Sequence, residues 1–242
     1  MTAPETGLDR LAEGILESFQ PGETARFPKT DIDALARLYL GLTVRYTALS
    51  DDRSLLGLTA YERTKVNITV GGSQETLLLD QDTVLLEKCF LSRRTGPAEA
   101  ERLSHRRRFT LAHECAHQIL FRMEPEQIRQ DLRSRYSARQ LYSCRDLKAR
   151  EDWNERQANI LGAALLMPRS RILRYFDLYR GNRPLVSYGG RYAAGDRLSM
   201  THLTVFFGVS PRSLEIRLRD LGLLTELPGW LYHNPLEIEG DL

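Results

Sequence analysis

Arg108-Phe109-Thr110-Leu111-Ala112-His113-Glu114-Cys115-Ala116-His117-Gln118-Ile119-Leu120 is the stretch on which the reading of this chain turns. It contains the pattern H-E-x-x-H over residues 113–117. On a helix, His113 and His117 stand one turn apart on one face. Two imidazoles spaced in this way can reach one Zn2+, each nitrogen about 2.0–2.1 Å from the ion. Glu114 lies about 100° around the helix from His113, at the edge of that face. From there its carboxylate can reach a water at the metal without binding the ion. Two ligands and a general base within five residues are the local chemistry of a zinc metallopeptidase. Three fixed positions also fall together by chance on amphipathic helices, so a third ligand has to come from elsewhere in the chain.

The 242 residues suffice for one large domain or two small ones. Hydrophobic residues make up 42 % and charged residues 27 %, the balance of a globular chain with a sizeable core. With 34 basic and 32 acidic residues the net charge is +2, which gives no whole-protein attraction to nucleic acid or membrane. Cys89, Cys115 and Cys144 are odd in number and show no C-x-x-C spacing, so a reducing compartment is expected rather than a disulfide framework. Met1 to Asp9 has no charged n-region followed by an apolar run, and no window approaches 18 apolar residues. The expectation is a cytoplasmic protein with no membrane partner.

Leu8, Leu11, Ile15, Leu16 and Phe19 are spaced for a short amphipathic helix closed by Pro21-Gly22, an N-terminal extension over residues 1–25. Thr30 reads as the N-cap of a helix with Ile32, Leu35 and Ala36 inward and Gly41 closing it. Residues 42–46, 55–61 and 65–70 then read as strands, and Glu75 to Asp80 as a buried strand. Together they predict a small, mostly antiparallel sheet ahead of the motif helix. Ser92 to Ser104, with Gly96-Pro97, reads as a loop, and the motif helix as starting near His105 or Arg106. Arg106 to Arg108 read as a solvated face or loop anchor. Glu124 to Asp152 reads as a helix plus loop, Glu151 to Leu166 and Ser170 to Tyr179 as helices, and Gly181 to Gly195 as irregular. Leu198 to Phe207 and Pro211 to Leu221 read as a helix–turn–helix-like pair over Gly208-Val209-Ser210, followed by a loop-like tail.

A catalytic zinc takes three protein ligands and keeps one position open. Glu155, 38 residues beyond His117 at the start of an apolar helix, is the best candidate for the third. Glu151 and Asp152 compete, and all three also suit the acid-rich start of a helix. Asn159, one turn after Glu155, is placed to orient a ligand histidine by a hydrogen bond.

The R-F-T-x-A-H-E-x-x-H block over 108–117, followed by E-x-x-A-N over 155–159 and Leu165-Leu166-Met167-Pro168, resembles the ImmA/IrrE family of zinc metallopeptidases. The likeness extends more weakly over residues 26–180. It implies a gluzincin-like core in which His113, His117 and Glu155 bind Zn2+ and Glu114 is the base. It also implies a protein substrate, a helix-turn-helix repressor of the family member's own operon, whose cleavage switches on phage, mobile-element or stress genes. Cys115 departs from the bulkier residue more usual there and should point into the core as a small apolar side chain.

The expected fold class is α+β: a small, mostly antiparallel sheet packed on an active-site helix bundle, with a C-terminal helix-turn-helix-like segment. The expected division is an extension (1–25), a metallopeptidase core (26–180), the helix-turn-helix-like segment (181–225) and a tail (226–242). The oxyanion donor is unassigned, with Tyr188, Tyr192 and His202 as candidates by position, and the strand Thr76 to Leu79 could pair with an extended substrate. The competing class is a regulatory module that binds DNA or a repressor without proteolysis. Arg212, Arg217 and Arg219 on the second C-terminal helix speak for DNA; the near-neutral charge speaks against it.

Overall fold

The computed structural model describes residues 6–21, 29–50, 52–70, 73–92, 96–136, 141–149 and 154–232. Helix α1 (Gly7–Phe19) opens on a capping box between Thr6 and Asp9 and packs Ala12 and Leu16 against later helices. Helix α2 (Ile32–Ala34) runs into a π turn, Leu35–Tyr39. Its N-cap is Asp31, whose carboxylate accepts from the Ala34 N–H. Thr30, the expected cap, is instead buried and donates to the Leu165 carbonyl, because a hydroxyl sealed from water needs a partner within reach.

The α+β class holds, but the strands among the described residues form three small sheets rather than one, each with one parallel and one antiparallel pair. In the first, β5 (Thr83–Glu87) lies between β1 (Thr43–Thr47) and β2 (Gly57–Ala60). Every residue of β5 is buried. The two-residue period of a strand sends Val84 and Leu86 into one apolar cluster and Leu85 into another. In the second sheet, β3 (Thr64–Val70) lies between β4 (Ser73–Leu79) and β6 (Leu141–Ser143). β4 is an edge strand with only Leu79 fully inside, so its apolar run marks a sheet edge and not the buried strand expected. The third sheet joins β7 (Leu185–Tyr188) to β8 (Arg191–Tyr192) and, in parallel, to β9 (Leu224–Leu227). It takes in both the segment read as irregular and the first residues of the presumed tail.

Helix α3 (Pro97–Met123) begins eight residues before His105. Gly96 is its N-cap and Pro97 its first helical residue, a position where proline's missing N–H costs nothing. From Pro97 on, the expected loop is therefore helix, and residues 93–95 lie outside the described residues. Short helices α4 (Glu126–Ser134) and α5 (Cys144–Lys148) follow, then α6 (Glu155–Leu166) and α7 (Arg169–Arg180). Helices α8 (Ala194–Phe207) and α9 (Pro211–Asp220) meet at the expected turn, with Gly208 left-handed and Ser210 capping α9. Leu203, Phe207, Leu214 and Leu218 of this pair share one apolar cluster with Leu111 and Cys115 of α3 and Leu161 of α6. Each such side chain, taken fully from water, stabilises by ~1.5–3 kcal/mol.

Arg108 ties these parts together. Its buried guanidinium donates to the carbonyls of Thr30, Phe207 and Gly208, joining α3 to the segment before α2 and to the end of α8. The basic run is thus not uniformly solvated: Arg107 also pairs with Asp33 and donates to the Tyr46 hydroxyl at 2.7 Å.

Candidate metal centre

A close approach of α6 to α3 sets the site. A Cβ on Gly162 would lie 3.1 Å from the His113 backbone nitrogen and 3.2 Å from the Ala112 carbonyl. Only a residue without a side chain lets the helices approach so closely, and the approach carries the start of α6 over the histidine face of α3. Glu155, the first residue of α6, then reaches both imidazoles. Its Oε2 lies 3.3 Å from His113 Nε2 and its Oε1 3.3 Å from His117 Nε2, while the two Nε2 atoms are 3.0 Å apart. Three ligands of a tetrahedral ion with bonds of about 2.0–2.1 Å would be spaced by roughly 3.4 Å. The observed triangle is close to that, and these three residues are a group that could hold a metal ion. His117 is fully buried and Glu155 is about one-third exposed, so the triangle opens to solvent on the Glu155 side.

The protonation state follows from the neighbours. His117 Nδ1–H donates to Asn154 Oδ1 at 2.7 Å, which leaves the Nε2 lone pair facing the triangle. The two imidazoles hold the Glu155 carboxyl well below the usual carboxylate range against the opposing pull of burial, and Lys148 adds to the effect. Glu155 therefore presents an anion to the triangle.

Glu114 lies alongside, nearly inaccessible, under strand β2. A Cβ on Gly57 would fall 2.5 Å from Glu114 Oε1, so this strand position too leaves room only for hydrogen. Gln118 holds β2 against α3 by donating to Thr59 Oγ1 at 2.6 Å and to the Ala60 carbonyl at 3.1 Å. Lys148, at the end of α5, places its ammonium 3.4 Å from Glu114 Oε1. Glu114 Oε2 has no hydrogen-bond partner among the described residues, an arrangement that leaves a buried carboxylate oxygen free to accept a proton.

The family model described as Peptidase_M78, IrrE N-terminal-like domain, matches residues 100–219. The chain belongs to this family. It is accordingly a metallopeptidase of the ImmA/IrrE type, a hydrolase with a protein substrate. The match runs from α3 to α9 and crosses residue 180, where the sequence suggested a boundary. A search of curated proteins found no significant match.

Within this member of the family, His113, His117, Glu114 and Glu155 come together as the two motifs imply. The competing acids Glu151 and Asp152 lie outside the described residues. Cys115 is buried in the apolar cluster, away from the triangle, and burial pushes its thiol far above the ordinary range.

Asn159 does not orient a ligand. The buried stripe of α6 passes through Ala158, Gly162 and Leu165, and Asn159, about 100° on from Ala158, turns outward. It is exposed and lines a groove with Thr6, Arg156 and Asp220. Asn154, immediately before Glu155, makes the bond to His117 instead.

Nor do the suggested oxyanion donors reach the triangle. Tyr192 donates to Glu215 at 2.8 Å, Tyr188 packs on Tyr232, and His202 is exposed on α8. Among the described residues none of the three hydrogen-bonds to His113, His117 or Glu155. The strand that adjoins Glu114 is β2, in a different sheet from Thr76–Leu79. Each arginine suggested for DNA faces a carboxylate: Arg212 with Glu215, Arg217 with Asp9 and Arg219 with Glu226. Sequence reasoning passed over Asn154, Gln118, Lys148 and the two glycines. A polar residue directly before the ligand glutamate was a legible signal for Asn154; nothing local marked Lys148.

Proposed function

We propose that the chain is a zinc-dependent endopeptidase of the cytoplasm that cuts a helix-turn-helix transcriptional repressor and so relieves repression. The observation that carries the reading is the triangle of His113 Nε2, His117 Nε2 and Glu155 at 3.0–3.3 Å, with the Glu114 carboxylate beside it. Two nitrogens and one carboxylate oxygen on an open face suit zinc as a catalytic ion. The substrate class rests on family membership and on the paired motifs, and no helix among the described residues is long and apolar enough to cross a membrane.

His113, His117 and Glu155 would hold the ion, which when bound supplies Lewis-acid polarisation of a water and of the scissile carbonyl. Glu114 takes the proton as water attacks the carbonyl carbon and delivers it to the leaving amine nitrogen. Asn154 fixes the His117 tautomer, and Gly57, lacking a Cβ, leaves the Glu114 carboxylate its place beneath β2. The paired state of Arg212, Arg217 and Arg219 gives the DNA-binding alternative no support.

The test is metal content followed by cleavage of a helix-turn-helix repressor, beginning with any encoded by an adjacent gene. Wild type should carry about one zinc per chain, and Glu155→Ala should lose it. Glu114→Gln should retain the zinc while cleavage falls by ~10²–10⁴-fold, the contribution of a positioned acid–base group. Cleavage persisting in Glu114→Gln would remove the glutamate from the mechanism.

A further inference from the structure

Lys148 belongs to neither motif, yet its ammonium stands between the two acids of the site. Its nitrogen is 3.4 Å from Glu114 Oε1 on α3 and 3.2 Å from Glu155 Oε1 on α6. It reaches both from the last turn of α5, with its side chain 22 % exposed. Glu114 is confined on its other flank, where a Cβ on Gly57 would overlap it. Two carboxylates within reach of one ammonium, one of them buried, repel unless a cation lies between them. Without a metal, Lys148 is that cation.

A divalent ion held by His113, His117 and Glu155 would take up part of the Glu155 charge and would meet the Lys148 ammonium as a like charge. Solvent on the Glu155 side screens such a repulsion only in part. Resting on the metal-site reading above, we propose that Lys148 is a stand-in cation for the metal centre. It holds Glu114 and Glu155 in place in the metal-free chain and lowers the affinity for the incoming ion. Lys148 is thus a positioning residue: it keeps the site assembled when empty and keeps Glu114 paired, so that the glutamate stays a base and does not become a fourth ligand.

The experiment measures Zn2+ affinity by competition with a chromophoric chelator in wild type, Lys148→Met, Lys148→Gln, Lys148→Arg and Glu155→Ala. Lys148→Met and Lys148→Gln should bind zinc more tightly by about ten-fold, which corresponds to ~1.4 kcal/mol of repulsion removed. Lys148→Arg keeps the charge and should match wild type. Metal-free Lys148→Met should melt below metal-free wild type and gain more on adding zinc. Zinc held equally or more weakly by both neutral variants overturns the proposal while leaving the metal site intact. Failure of the metal-site reading looks different: wild type, Lys148 variants and Glu155→Ala would all take up no zinc, and both readings would fall.

Discussion

The two ends of α6 hold buried charge in opposite ways. At its C-terminal end, Arg217 donates to the Met167 carbonyl at 3.2 Å and to Asp9 at 2.6 Å, with both side chains almost fully buried. Asp9 in turn is bonded by Thr6. A cation at a helix C-terminus, fully paired, is stabilising as placed. At the N-terminal end, Glu155 meets two imidazoles across an open triangle, and His113 Nδ1, Glu114 Oε2 and Asn154 Nδ2 have no hydrogen-bond partner among the described residues. Buried polar atoms left open cost stability. The chain closes its network where it needs a joint and leaves it open where it needs chemistry.

Breaking the closed end should have the larger effect. Asp9→Asn strands the Arg217 guanidinium in the interior, and removing one member of a buried pair costs ~3–5 kcal/mol. A thermal or urea melt reads this, and the folded fraction should still take up zinc, because the open end is untouched. A melt within error of wild type would mean that water reaches Arg217 easily. The same pair carries a pH dependence. Burial raises the Asp9 carboxyl, but Arg217 and the Thr6 bonds outweigh it and hold the group below its ordinary value. A depressed folded-state value adds stability above the unfolded value of about 3.9. That stability is lost as pH falls through the folded value, so acid unfolding should begin later in wild type than in Asp9→Asn.

Sharpening the open end takes Asn154→Ala. The alanine frees the His117 ring to choose either tautomer, and loss of such a partner weakens metal binding by ~10–100-fold. The melt of the metal-free protein should barely move. Unchanged zinc affinity would show that packing alone fixes the ring.

What was legible in the sequence divides along the same line as the two ends of the helix. His113, Glu114 and His117 are fixed by helical spacing within one turn, so their relation needs no tertiary information. Glu155 was found because its helix begins where the apolar period begins. The helices α1, α6, α7, α8 and α9 were legible for the same reason. Lys148 was not, since it lies in a charged stretch whose pattern does not say that β6 pairs with β3 and carries α5 to the site. The parallel pairs β1–β5 and β7–β9 join segments far apart in the chain, and no local turn announces them. Counting one turn on from Glu155 points to Asn159, whereas the buried stripe leans toward Ala158 instead. β4 was misjudged because a run of leucines reads alike at a sheet edge and in a core; Leu78 is 40 % exposed.

A modest effect on stability should come from the residue that sets the spacing between the ends. Gly162→Ala places a Cβ 3.1–3.2 Å from the backbone of Ala112 and His113, and backbone, unlike a side chain, cannot rotate away. Overpacking of this kind costs ~1–3 kcal/mol. Alanine in a helix interior recovers ~0.5–1 kcal/mol over glycine. The net loss should therefore be about 1 kcal/mol or less at the low end of that range, a small shift in the melt. Metal binding should suffer more than the melt suggests, because a few tenths of an ångström added between α3 and α6 open the Glu155–histidine distances directly, whereas the apolar contacts of α6 can redistribute. Zinc affinity falling while the melt is nearly unchanged would show that the glycine is there for the site. A matched loss of both would make it a packing residue like its neighbours Leu161 and Leu165.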